Sequence, residues 1–138
     1  MNGSMDSSKV EIGVVSCASN ASNTGSLAAN AALELVRELG EKAGICSLPA
    51  IATNAPRQMN LVKSIPTIVA IDGCHNECAR KILANAGIEP LIYVNLEHDL
   101  GFKKEGPFTT FNWNTSDVTR IVEYTLDKIQ AKGGENNG

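Results

Sequence analysis

Residues 66–71 (PTIVAI) form an unbroken, largely β-branched apolar run that opens directly onto Asp72-Gly73-Cys74. A strand without polar alternation has no face to give to water, so it belongs inside a sheet covered on both sides. The rest of the chain supplies the cover. Residues 10–16 (VEIGVVS), 43–48 (AGICSL) and 90–94 (PLIYV) read as three further strands. Helical patterns stand between and after them: residues 26–39, rich in Ala and Leu and stopped by Gly40; 55–64, a weaker pattern; 77–86, closed by Gly87; and 115–129. Thr115, Ser116 and Asp117 are the N-cap candidates of the last helix.

Strands alternating with helices imply βαβ units. The expected fold is therefore α/β: a small doubly wound, Rossmann-like, mostly parallel sheet of about four strands with helices on both faces. Residues 95–114 resist assignment, and a short helix or a lid is expected there. The polar ends, residues 1–8 and 131–138, are expected to lack order, leaving a single domain over 1–138 with about 9–130 ordered. A chain of 138 residues that is 43% hydrophobic can bury one sufficient core.

Charge and composition exclude some functions. The formal net charge is −3 and no stretch concentrates Lys and Arg, so binding to nucleic acid or to an anionic membrane surface is not expected. No apolar run reaches the length of a membrane span, and the start has neither the basic nor the apolar region of a secretory signal. The protein is expected to be cytoplasmic. In a reducing compartment, four cysteines in a short chain point to metal or thiol chemistry rather than to disulfides.

In a doubly wound fold, sites form where strand carboxyl ends lead into helix N-termini. Cys17 falls just past the first strand, Cys46 near the end of the second, Cys74 just past the third, and Cys78 in the first turn of the next helix. All four are expected to face one edge. Thiolates suit tetrahedral zinc, and the C-x-x-x-C pair at a helix start can share an ion through one turn of backbone. Helix N-termini with unpaired N–H groups would favour the thiolate form that a metal needs. The expected ligand set is Cys17, Cys46, Cys74 and Cys78, and the expected cofactor is zinc. The bland alternative is that Cys17 and Cys46 are small buried hydrophobes.

Three stretches occur together: C-A-S-N with T-G-S-L-A-A-N-A-A after the first strand, then C-S-L-P-A, then I-D-G-C-H-N-E-C-A. Together they resemble the DGC-domain family, over roughly residues 12–94. That family takes its name from the central Asp-Gly-Cys and is described as zinc-binding through four chelating cysteines, whose positions fall here on Cys17, Cys46, Cys74 and Cys78. The resemblance implies a metal site and brings no reaction with it.

Other residues have mainly structural expectations. Asp72 and Gly73 belong to the strand-to-helix turn, Asp72 as a helix cap and Gly73 through positive φ or close backbone approach. His75 is expected in a second layer or in solvent, and His98 in an exposed loop. Ser22, Asn23 and Thr24 are read first as caps of the helix that follows.

Two alternatives remain beside zinc binding. One is a thiol-redox or zinc-dependent enzyme using Cys74 or Cys78, with Cys17 resolving, or with His98 or Asp99 as acid or base. The other is a phosphate- or nucleotide-binding module built on the loop at residues 19–25, although that loop lacks the Lys of a P-loop and the spacing of a dinucleotide fingerprint. Whether a protein partner or a small-molecule ligand is involved is not legible in the sequence.

Overall fold

The computed structural model describes residues 10–137, so the expected tail at residues 1–8 lies outside it. The apolar runs form four strands, β1 Ile12–Ser16, β2 Ala43–Ile45, β3 Thr67–Asp72 and β4 Ile92–Asn95. They pair in parallel in the order β2-β1-β3-β4. The central pair is in register from Ile12↔Thr67 to Ser16↔Ile71. Side chains alternate across this sheet as the two-residue strand period requires. Val14, Val69 and Ile71 face one layer, which α1 (Asn23–Leu39) and α6 (Thr115–Asn137) cover. Val15, Ile68 and Ala70 face the other, which α2 (Leu48–Ala52), α3 (Pro56–Ser64) and α4 (Cys78–Asn85) cover. The doubly wound α/β expectation describes this arrangement.

Chain order places β2 on one side of β1 and β3 on the other, and the helices following β1 and β3 lie on opposite faces of the sheet. The strand order therefore switches between β1 and β3, and a crevice opens beyond their carboxyl ends.

Several boundaries differ from expectation for local reasons. β2 stops at Ile45 because Ser47 caps α2, its Oγ accepting from Ala50 N–H at 3.3 Å, so the expected strand 43–48 ends early. α1 begins at Asn23 rather than at residue 26, with Ser22 as its cap accepting from Gly25 N–H at 3.2 Å. α6 is capped by Asn114, not by Thr115, Ser116 or Asp117. Asn114 Oδ1 accepts from Asp117 N–H and Asp117 Oδ2 accepts from Asn114 N–H, each at 3.1 Å, a reciprocal capping box. The helix then runs past residue 129 to Asn137.

The unassigned stretch 95–114 opens with a short helix, α5 (Leu96–Leu100), and continues as an irregular strap. Asn23 fastens the strap to the start of α1. Its amide donates to Lys103 O at 2.9 Å, its Oδ1 accepts from Glu105 N–H at 2.9 Å, and its backbone N–H donates to Thr109 Oγ1 at 2.9 Å. Asn23 is thus a buried cross-link rather than a helix cap.

Candidate metal centre

β3 runs into Asp72, which is 1% exposed. A buried carboxylate needs donors, and it has three: Ala79 N–H at 2.8 Å, Arg80 N–H at 3.1 Å and the Tyr93 hydroxyl at 2.9 Å. Asp72 therefore caps α4 from across the turn, which releases Glu77, the residue before the helix, into a left-handed conformation with φ 54°. Burial holds the Tyr93 hydroxyl well above the ordinary tyrosine range, so it stays a donor to Asp72. Asn95, 1% exposed at the end of β4, completes the brace by donating to Cys74 O at 3.0 Å and to the Tyr93 hydroxyl at 3.1 Å.

Gly73 lies against α1. A Cβ there would meet the Thr24 carbonyl at 2.6 Å, so the requirement is close approach, and its φ is not positive. Gly25 is equally confined, since a Cβ would fall 1.8 Å from Ser19 O. The Thr-Gly and Asp-Gly pairs are thus two sides of one backbone contact.

Around this contact lies a cavity of about 30 Å³ lined by Cys17, Cys74 and Cys78, with Asp72, Glu77 and Lys104 in its wall. Cys17 Sγ accepts from Gly73 N–H at 3.4 Å. Burial raises the Cys17 thiol above its ordinary pKa; backbone N–H groups of Ser19 and Gly73 work against that, and the charges of Asp72 and Cys78 work with it. Lys104 Nζ donates to Cys74 Sγ at 3.6 Å, bringing the strap over the cavity. Cys78 is exposed at the rim.

Cys46 does not line this cavity. Ile45 pairs with Val14, and β1 continues to Ser16, so Cys46 stands about two residues, roughly 7 Å, below the level of Cys17. Its Sγ is turned toward Gly13, where a Cβ would meet it at 2.8 Å, among the side chains that Ile65 and Ile68 bring to the same spot. Burial pushes this thiol up to about 11.

Among the described residues no three cysteine sulfurs lie within 4.8 Å of one another; the group drawn that close is Cys74, His75 and Glu97. His75 N–H and Nδ1 both meet Glu97 Oε1, at 2.5 and 2.9 Å. Burial works to raise the Glu97 carboxyl, and the bonds and charge of His75 outweigh it, leaving its pKa lowered.

In donor chemistry the cavity fits a thiophilic ion: three sulfurs from two strand ends and a helix start surround a space of ionic size. Rotation of the cysteine side chains would have to close the remaining distance.

The helix ends contribute less than the sequence suggests. The N–H groups of Ala79 and Arg80 are taken by Asp72, and those of Asn23 and Gly25 by Thr109 and Ser22, so these are not free to stabilise thiolates. The loop before α1 likewise spends N–H groups on itself, Asn20 N–H on Ala18 O and Ser22 N–H on Ser19 O, which leaves it a poor phosphate cradle. Thr24 Oγ1, fully buried, is without a hydrogen-bond partner among the described residues. His98 is exposed, and Asp99 accepts from Asn95 N–H at 2.8 Å, so both serve the edge of α5 rather than the cavity.

Lys104, Tyr93, Asn95 and Glu97 were not singled out in the sequence. A polar Asn closing an apolar strand is a signal that could have marked Asn95. Lys104 sits in the strap, where no periodicity points to it.

A doubly wound domain with a thiol-lined crevice at its switch point is the class that these features define. The chain matches the DGC domain over residues 13–125 and belongs to that family. No curated protein and no solved structure matches it. No helix among the described residues is long and apolar enough to cross a membrane.

Proposed function

We propose that this protein is a cytoplasmic zinc-binding domain whose ion sits beyond the carboxyl ends of β1 and β3, held by Cys17, Cys74 and Cys78. Cys46, the fourth ligand that the sequence offers, lies outside this cavity with its sulfur turned toward Gly13. The observation that carries the proposal is the convergence of three thiols on one small cavity at the switch point. Bound there, zinc would cross-link the two central strand ends and offer a Lewis acid. Asp72, Tyr93 and Asn95 hold the turn bearing Cys74, and Lys104 brings positive charge to a centre rich in thiolate.

The test is elemental analysis of reduced, untagged protein, followed by a thermal melt with and without zinc. About one zinc per chain and a melting temperature that rises with zinc are expected, because an ion that binds only the folded state stabilises it by mass action. Cys17→Ser, Cys74→Ser and Cys78→Ser should each lower the zinc content. Metal-free protein whose melting temperature ignores added zinc overturns the proposal.

One observation favours a second reading, a dithiol oxidoreductase. The Lys104 ammonium is placed against the Cys74 sulfur, as a thiolate nucleophile would require. Cys74 would attack a substrate disulfide and Cys17 would displace it, leaving a Cys17–Cys74 disulfide and two substrate thiols. Mass spectrometry after exposure to oxidised glutathione checks this, and the absence of any Cys74 adduct or internal disulfide rejects it.

A further inference from the structure

We infer that the fourth coordination position of this centre is open to a small donor from solution, with Cys46 outside the shell. The inference rests on the zinc proposal and adds a statement about what that zinc can do.

Cys46 is held away by the sheet itself. The β1–β2 register sets it about two residues below Cys17, and its sulfur occupies the space that the missing side chain of Gly13 leaves. Bringing Cys46 into the cavity would empty that space and break the end of the ladder, where Cys46 N–H donates to Val14 O at 2.9 Å.

Of the other anionic donors at the cavity, Asp72 has both oxygens engaged by three donors. Glu77 has a long contact with Arg80, Oε1 lying 3.9 Å from Nη1, and is the carboxylate that the test below must separate from a solution donor. His75 and Glu97 are paired with each other and do not line the cavity. The chain thus supplies three ligands to an ion that seeks four. A space of about 30 Å³ has room for the ion and one small partner.

Three thiolates, a dication and the Lys104 ammonium sum to zero formal charge, so the position suits a neutral nitrogen or oxygen donor better than a further anion. Three protein ligands and one exchangeable position are the arrangement of zinc sites that act on substrates rather than merely brace a fold.

Cobalt substitution reads the shell directly, because thiolate-to-cobalt charge-transfer absorption grows with the number of sulfur ligands. Cobalt-loaded wild-type protein and Cys46→Ala should give the same charge-transfer intensity and the same metal content. Cys17→Ser, Cys74→Ser and Cys78→Ser should each lose about one third of that intensity. Imidazole titrated into the cobalt-loaded wild type should shift the d–d bands, a measurement that needs no variant to fold. Glu77→Gln should behave as wild type in all of these.

A Cys46→Ala spectrum that loses about a quarter of its charge-transfer intensity, with no response of wild type to imidazole, overturns the inference in favour of a closed four-thiolate shell. A Glu77→Gln spectrum that differs from a wild type insensitive to imidazole overturns it in favour of a carboxylate ligand. Protein that takes up neither cobalt nor zinc overturns the zinc proposal itself, an outcome distinct from both.

Discussion

Gly73 packs its Cα against the peptide that joins Thr24 to Gly25, with room for a hydrogen and not for a methyl group: a Cβ would lie 2.6 Å from the Thr24 carbonyl and 2.8 Å from Gly25 N. Through this contact the turn after β3 rests on the first turn of α1. Cys17, which directly follows β1, and Cys74, just after Gly73, thus flank a contact made of main chain.

Gly73→Ala should cost about 3 kcal/mol, because the atoms in the way are main chain and cannot rotate aside. Gly87→Ala is the control: its φ is +75° but nothing lies within 4 Å, so only the left-handed backbone penalty of about 1 kcal/mol applies. Urea denaturation compares the two. Equal costs would mean that the α1 contact yields more readily than its geometry implies.

Removing the Asp72 carboxylate strands the Ala79 and Arg80 N–H groups and the Tyr93 hydroxyl together. Asp72→Ala should lose about 3 kcal/mol, combining a lost cap with unsatisfied donors. Tyr93→Phe removes one of the three bonds and should lose about 1 kcal/mol. Because both changes remove the same Tyr93–Asp72 hydrogen bond, the two effects should not add in the double variant. Additive losses in a double-mutant cycle would show that the brace is not a network.

Much of this was open to sequence reasoning, for physical reasons that differ from place to place. The run at 66–71 was legible because a doubly covered strand is apolar, and residues 26–39 because their apolar spacing is helical. The level of Cys46 was not legible. It depends on where β2 stops and on how it registers with β1, and the serine that ends it looks like any polar residue. The donors reaching Asp72 and the Lys104 contact are long-range, made by residues that carry no periodic pattern of their own.

Stability should fall on the alkaline side. Burial holds the Cys46 thiol up to about 11, against 9.0 for an ordinary thiol, and Cys17 is raised in the same direction. Above pH 9 the unfolded chain has released these protons and the folded chain still holds them, so the unfolded state binds fewer protons and stability declines as pH rises. The stabilising contribution is whole below pH 9 and is lost as pH climbs toward 11. Metal-free protein melted from pH 8 to 11 should show this decline, and Cys46→Ala should flatten it. At pH 8 Cys46 should also react with iodoacetamide far more slowly than the exposed Cys78, which peptide mapping resolves.

Asn23 ties the strap to the body of the fold, and loss of its amide frees Lys103 O and Glu105 N–H at once. Asn23→Ala should cost about 2 kcal/mol, with the loss concentrated locally: amides in 101–114 should exchange faster while those of β1 and β3 keep their protection. Asn23→Asp retains the acceptor for Glu105 N–H but sets a carboxylate oxygen against Lys103 O, so its strap should exchange at an intermediate rate. The strap carries Lys104 to Cys74, so the same variants should alter the labelling rate of Cys74 without changing that of Cys46, which lies outside the cavity. Faster exchange spread evenly through the sheet would show instead that Asn23 supports the whole domain rather than the strap alone.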